Sequence, residues 1–71
     1  MKARELRRLL EREPLAYSRE RQGGSHTILR SDRYPDLLFA FHDNQTLPPF
    51  LVRKILTKDV GLSTEEALAL L

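Results

Sequence analysis

Apolar positions recur along this chain with a helical period, then at strand spacing, then with a helical period again. Leu6, Leu9 and Leu10 stand at i, i+3 and i+4, with arginine and glutamate between them. That spacing predicts a helix over about residues 3–12 with one apolar stripe. Pro14 closes it, because the residue before a proline is pushed out of the helical region. Leu15 to Arg21 alternates weakly and predicts a strand. Gly23-Gly24 follows, and His26-Thr27-Ile28-Leu29-Arg30 is rich in strand formers. Two strands around a glycine turn make a hairpin. Tyr34-Pro35-Asp36 signals a second turn, and Leu37 to Phe41 is an apolar run of strand length, expected as the central strand.

After the polar loop His42 to Thr46, Pro48-Pro49 suits the first turn of a helix. Leu51, Val52, Ile55 and Leu56 give that helix its stripe, and Gly61 fits its C-terminal cap. Ser63-Thr64-Glu65-Glu66 reads as a capping box opening a last short helix with Ala67, Leu68 and Leu71. That helix has little left to pack on, so it folds back onto the second helix or faces a partner. The order α-β-β-β-α(-α), with helices segregated from a three-stranded antiparallel sheet, is the α+β class. One sheet face takes the main helices and the other faces solvent.

The 71 residues limit the chain to one domain, expected to span 1–71. A domain this short buries only about 60% of its unfolded surface, so its core is small or a partner completes it. With no cysteine, disulfides and zinc sites built on thiolates are excluded. No apolar run approaches a membrane span and no signal peptide is visible, so the expectation is a soluble, cytoplasmic protein without a membrane partner.

The net charge of +2 is unevenly spread. Residues 1–33 hold nine bases, eight of them arginine, and five acids, so that half is +4 and the remainder is −2. Arginine offers a planar fork of donors suited to phosphate, which hints at a polyanion. A solvated helix face with pairs such as Glu5 and Arg8 explains the same charges.

Two histidines, His26 and His42, are the candidates for proton transfer near neutral pH. His26 follows Gly24 and Ser25 in the hairpin turn, and Arg19, Arg21 and Arg30 lie on its two strands. Glycine lets backbone approach a phosphate, and turn amides cradle anions. This set suits RNA cleavage without a metal or cofactor, because the 2′-OH is an internal nucleophile. A histidine need only move protons, and an arginine steadies the developing charge. The plainer alternatives are a strand-start histidine bonded to backbone for His26 and a loop histidine for His42. Ser25, His26 and Asp32 make a poor triad, since adjacent strand residues point to opposite faces. No P-loop, GxGxxG or metal-ligand spacing is present.

These residues form an ordered series. Arg4-Glu5-Leu6 and Leu9-Leu10 come first, then Gly24-Ser25-His26. Leu47-Pro48-Pro49, Arg53-Lys54-Ile55-Leu56, Gly61-Leu62-Ser63 and Glu65-Glu66 follow. Over about residues 2–70 the series resembles the HicA (YcfA-like) family of mRNA interferase toxins. The stretch between Leu56 and Gly61 is one residue longer than the family pattern. The resemblance implies a fold like the double-stranded RNA-binding domain and an endoribonuclease acting on mRNA. It makes His26 the catalytic residue. It also implies a cognate HicB-like antitoxin, and operator DNA bound through that antitoxin. Gly24, Ser25, Arg19, Arg21, Arg30 and His42 are then the expected substrate contacts. A non-catalytic RNA-binding module of the same fold is the alternative, and a protein-interaction subunit is a third.

Overall fold

Helix α1 (Ala3–Glu11) forms where the first leucine stripe predicts it, and Ala3, Leu6, Leu9 and Leu10 are all buried. The computed structural model describes residues 1–20 and 27–71. Strands β1 (Ser18–Glu20), β2 (Thr27–Arg30) and β3 (Leu37–Phe39) follow. Helix α2 (Pro49–Lys54) runs on into a π-helical turn over Ile55–Asp59, and helix α3 (Thr64–Leu70) closes the described chain. The α+β reading holds: helix, three antiparallel strands, then helices. No helix among the described residues is long and apolar enough to cross a membrane.

The sheet order is β1-β2-β3, with Arg19 opposite Leu29 and Leu29 opposite Leu37. Directly opposed residues share a face. Leu29, Leu37 and Phe39 therefore look toward the helices and join one core with Leu6, Leu10, Val52 and Leu56. Ser18, Glu20, Arg30 and Leu38 look outward, and all four are exposed. The apolar run Leu37 to Phe41 is thus an edge strand of three residues, not the central one. A meander puts its middle strand in the centre. The run is apolar because Leu37 and Phe39 fill the core and Phe41 packs edge-on against Phe39, at a ring separation of 5.2 Å. Leu38, 64% exposed, belongs to the solvent face.

The first strand also begins later than its alternation suggests. Leu15 and Tyr17 are buried before β1 begins, and their surroundings are fixed by hydrogen bonds rather than by strand pairing. The Ser31 hydroxyl donates to the Leu15 carbonyl (2.7 Å), and the Tyr17 hydroxyl donates to the Pro35 carbonyl (2.7 Å). These two bonds hold the far end of the sheet to the turn that leaves α1.

Between Leu56 and Gly61 the chain makes a π-helical turn. The Val60 amide donates to the Ile55 carbonyl, five residues back (2.9 Å). Bonding at i−5 absorbs one residue while Ile55, Leu56 and Val60 all stay buried. Gly61 then turns the chain with φ +94°, a conformation that favours glycine. The Leu62 amide reaches back to the Leu56 carbonyl (3.0 Å).

Helix α3 has the expected capping box. The Glu66 amide donates to Ser63 Oγ (3.1 Å), and the Ser63 amide donates to Glu66 Oε1 (2.9 Å). Ala67 packs into the core and Leu70 packs partly against it, whereas Leu68 and Leu71 stay exposed.

Candidate nucleic-acid interface

Strand register fixes where each of the described candidate residues stands. The register brings Thr27 opposite Phe39, so β2 starts beside the end of β3. The loop that leaves β3 there, His42 to Thr46, is tied to the start of α1. The Ala3 amide donates to the Gln45 carbonyl (2.8 Å), and the Arg4 amide donates to the Asp43 carbonyl (3.2 Å). The first amides of a helix have no partner within it, and loop carbonyls serve as their acceptors here. The Glu5 carboxylate accepts from the Lys2 amide (2.9 Å), which occupies Glu5 in capping rather than in a pair with Arg8.

Three of the N-terminal bases reinforce this junction. Lys2 Nζ donates to the Asn44 carbonyl (3.1 Å), and an Arg4 nitrogen donates to Asn44 Oδ1 (2.6 Å). Arg7 forms an ion pair with Asp43. Part of the arginine excess therefore holds one loop in place instead of forming a bare polyanion surface. No local signal announces these contacts, since the partners lie 36 to 42 residues apart.

His42 opens the loop. Its carbonyl accepts from the Gln45 amide (2.9 Å), which closes a turn, and its imidazole is exposed at the sheet end from which β2 starts. Arg19 lies on β1 on the helical face of the sheet, exposed at its edge. Arg30 lies on the opposite face and at the far end of β2, with its guanidinium 3.4 Å from both Glu20 and Asp36. The structure thus brings His42 to the end where β1 finishes and β2 begins. It places Arg30 between two carboxylates away from that end. Arg21, Gly24, Ser25 and His26 lie outside the described residues.

A small α+β protein with helices on one sheet face, and with a histidine and one candidate arginine described near the end where its first two strands meet, is the class that fold and site define. A family model described as the HicA toxin of bacterial toxin–antitoxin systems matches residues 3–62, and the chain belongs to that family. It is therefore a toxin of a toxin–antitoxin system, and membership implies an antitoxin partner. Neither the curated proteins nor the solved structures yield a match.

Proposed function

We propose that this chain, acting as one domain over residues 1–71, is an endoribonuclease that cleaves mRNA with His26 as its general acid or base. One observation carries this reading: the HicA family match runs from 3 to 62 and includes the Gly24-Ser25-His26 triplet. The helix–three strands–helix order supports the double-stranded RNA-binding-domain-like fold that the family resemblance implies.

In this mechanism the RNA 2′-oxygen attacks the adjacent phosphorus and the bond from phosphorus to the 5′-oxygen breaks. His26 takes the 2′-OH proton, or in its charged form gives one to the leaving oxygen. Ser25 and the Gly24 backbone donate to the phosphate, and Arg19 and Arg21 offset its growing negative charge. His42, held by the loop on α1, contacts the RNA from the neighbouring side. No metal or other cofactor takes part. The partner is a HicB-like antitoxin, which also brings the toxin to operator DNA.

Purified chain should cut single-stranded RNA in the presence of EDTA, leaving 2′,3′-cyclic phosphate and 5′-OH ends. His26→Ala should be folded and inactive. Full cleavage by that variant would sink the histidine mechanism. Salt-sensitive RNA binding with no scission by the wild-type chain would instead favour a binding module.

A further inference from the structure

A second surface lies among the three helices, and its composition asks for a partner. Two hollows of about 450 and 350 Å³ adjoin there and share Met1 and Leu71. Val52 and Pro49 line one, and Leu9 and Leu70 line the other. The exposed side chains Leu68 (59%) and Leu71 (51%) stand on the α3 side, so a sizeable apolar strip faces solvent. Such a strip, rimmed by polar residues, marks an interaction site more often than a bare surface.

The rim is cationic. Arg53 stands at one hollow, and Arg8 and Arg12 stand at the other. None of the three has an ion-pair partner among the described residues. The one acidic side chain among the lining residues, Glu5, already accepts from the Lys2 amide. An occupant therefore has to be apolar along its middle and acidic along its flanks. A groove between helices accepts a helix with an i, i+3/i+4, i+7 apolar stripe.

We propose that this groove receives an acidic amphipathic helix of the antitoxin. The inference rests on the antitoxin partner that family membership implies. It goes beyond that membership, because the α3 wall (Thr64–Leu70) lies outside the matched residues 3–62. Arg8 and Arg12 stand toward the C-terminal end of α1, whereas the helix's N-terminal end is the one bound to the His42 loop. The groove thus gives the antitoxin a grip on the helices, elements that carry no histidine.

The test uses the full chain and the product of the antitoxin reading frame adjoining its gene. Binding is measured by calorimetry at several salt concentrations, with amide exchange on the free and bound chain. Wild-type affinity should fall as salt rises, because the rim charges are screened. The double variant Arg8→Glu/Arg12→Glu and the single variant Leu68→Glu should each weaken binding about tenfold or more. Both should keep the wild-type circular dichroism and RNA cleavage. Residues 64–70 and the C-terminal half of α1 should gain exchange protection in the complex. Wild-type affinity in both variants, with protection confined to other segments, would overturn the proposal. So would a dimer of the chain alone that Leu68→Glu dissolves, since a second copy would then be the occupant. A wild-type chain that binds no antitoxin would bring down the partner reading and this surface together.

Discussion

Arg7 and Asp43 pair across the junction between α1 and the loop after β3, and the burial of the two partners is unequal. The Arg7 side chain is 18% exposed and Asp43 is 55% exposed. Arg7 Nε is buried without a hydrogen-bond partner, so the loop holds this arginine by one side of its guanidinium. Asp43→Ala leaves a largely buried cation with no counter-charge. The exposed side of the pair tempers the cost to roughly 1 kcal/mol. Thermal unfolding should show this as a loss of about 4–8 °C for a chain of this size. Arg7→Met, which removes the cation and its orphaned nitrogen together, should cost less than Asp43→Ala. Equal losses would mean that the charge is not what Asp43 satisfies.

Tyr17 makes the stability fall at high pH. Its hydroxyl is pushed up to about 12, first by burial, then by the nearby Asp36 carboxylate and the Tyr34 phenol. The fold therefore favours the neutral phenol. An unfolded chain ionises near 10, so between 10 and 12 it binds fewer protons than the folded one. The stability contributed by Tyr17 is complete below pH 10 and declines by at most about 1.4 kcal/mol per pH unit above it. Tyr17→Phe should remove that slope. It should also cost about 1 kcal/mol at neutral pH for the lost bond to the Pro35 carbonyl. Urea unfolding at about pH 9 and about pH 11 checks both effects. An unchanged slope in the phenylalanine variant would transfer the effect to another group.

The parts of this fold legible in the sequence are those fixed by neighbours a few residues apart. Leu6, Leu9 and Leu10 specify a helix face by themselves, and Ser63 and Glu66 specify a cap within four residues. Nothing in Thr57, Lys58 or Asp59 announces a π-helical turn before Gly61. The edge position of Leu37 to Phe39 escapes an argument from hydrophobicity, because an edge strand with one buried face and a half-buried neighbour is as apolar as a central one. Of the candidate site, Arg21, Gly24, Ser25 and His26 lie outside the described residues, so the sequence offers them as chemistry alone. Which face Arg19 and Arg30 occupy depends on strand register, and one residue of slip reverses it. The loop that carries His42 is positioned by Lys2, Arg4 and Arg7 from about forty residues away.

The cap on α3 should make that helix sensitive to acid. Glu66 is held below its ordinary value, chiefly by the hydrogen bond from the Ser63 amide and then by the Ser63 hydroxyl. A carboxyl lowered in the folded state stabilises above its ordinary pKa, and that contribution is lost as pH falls through the lowered value. Ser63→Ala removes one half of the box, and amide protection in α3 should fall roughly fivefold, the usual effect of a lost N-cap. Acidification should fray α3 in the wild type and change the alanine variant less. NMR exchange at Ala67 to Leu70 reads this directly, and the rest of the core should stay protected. Fraying that spreads to Leu56 and Val60 would show that α3 and the π-helical turn unfold as one unit.

Arg19 and Arg30 differ by the sheet face they occupy, and RNA should distinguish them. Arg19 stands opposite Leu29 on the helical face, one residue from the end of β1, without an ion pair among the described residues. Arg30 stands opposite Ser18 on the outer face, with Glu20 and Asp36 competing for its guanidinium. Those half-exposed pairs at 3.4 Å are worth little to stability, under about 1 kcal/mol, but they lower the positive potential that a phosphate would meet. If RNA lies across the end where β1 and β2 meet, Arg19→Ala should weaken binding at every sequence and reduce the salt slope by about one. Arg30→Ala should leave both nearly unchanged. The measurement is RNA affinity at four or more salt concentrations, on a His26→Ala background so that the substrate survives. A larger loss from Arg30→Ala would place the phosphate track on the outer face of the sheet, past Leu38, and His42 would then lose its assignment as an RNA contact.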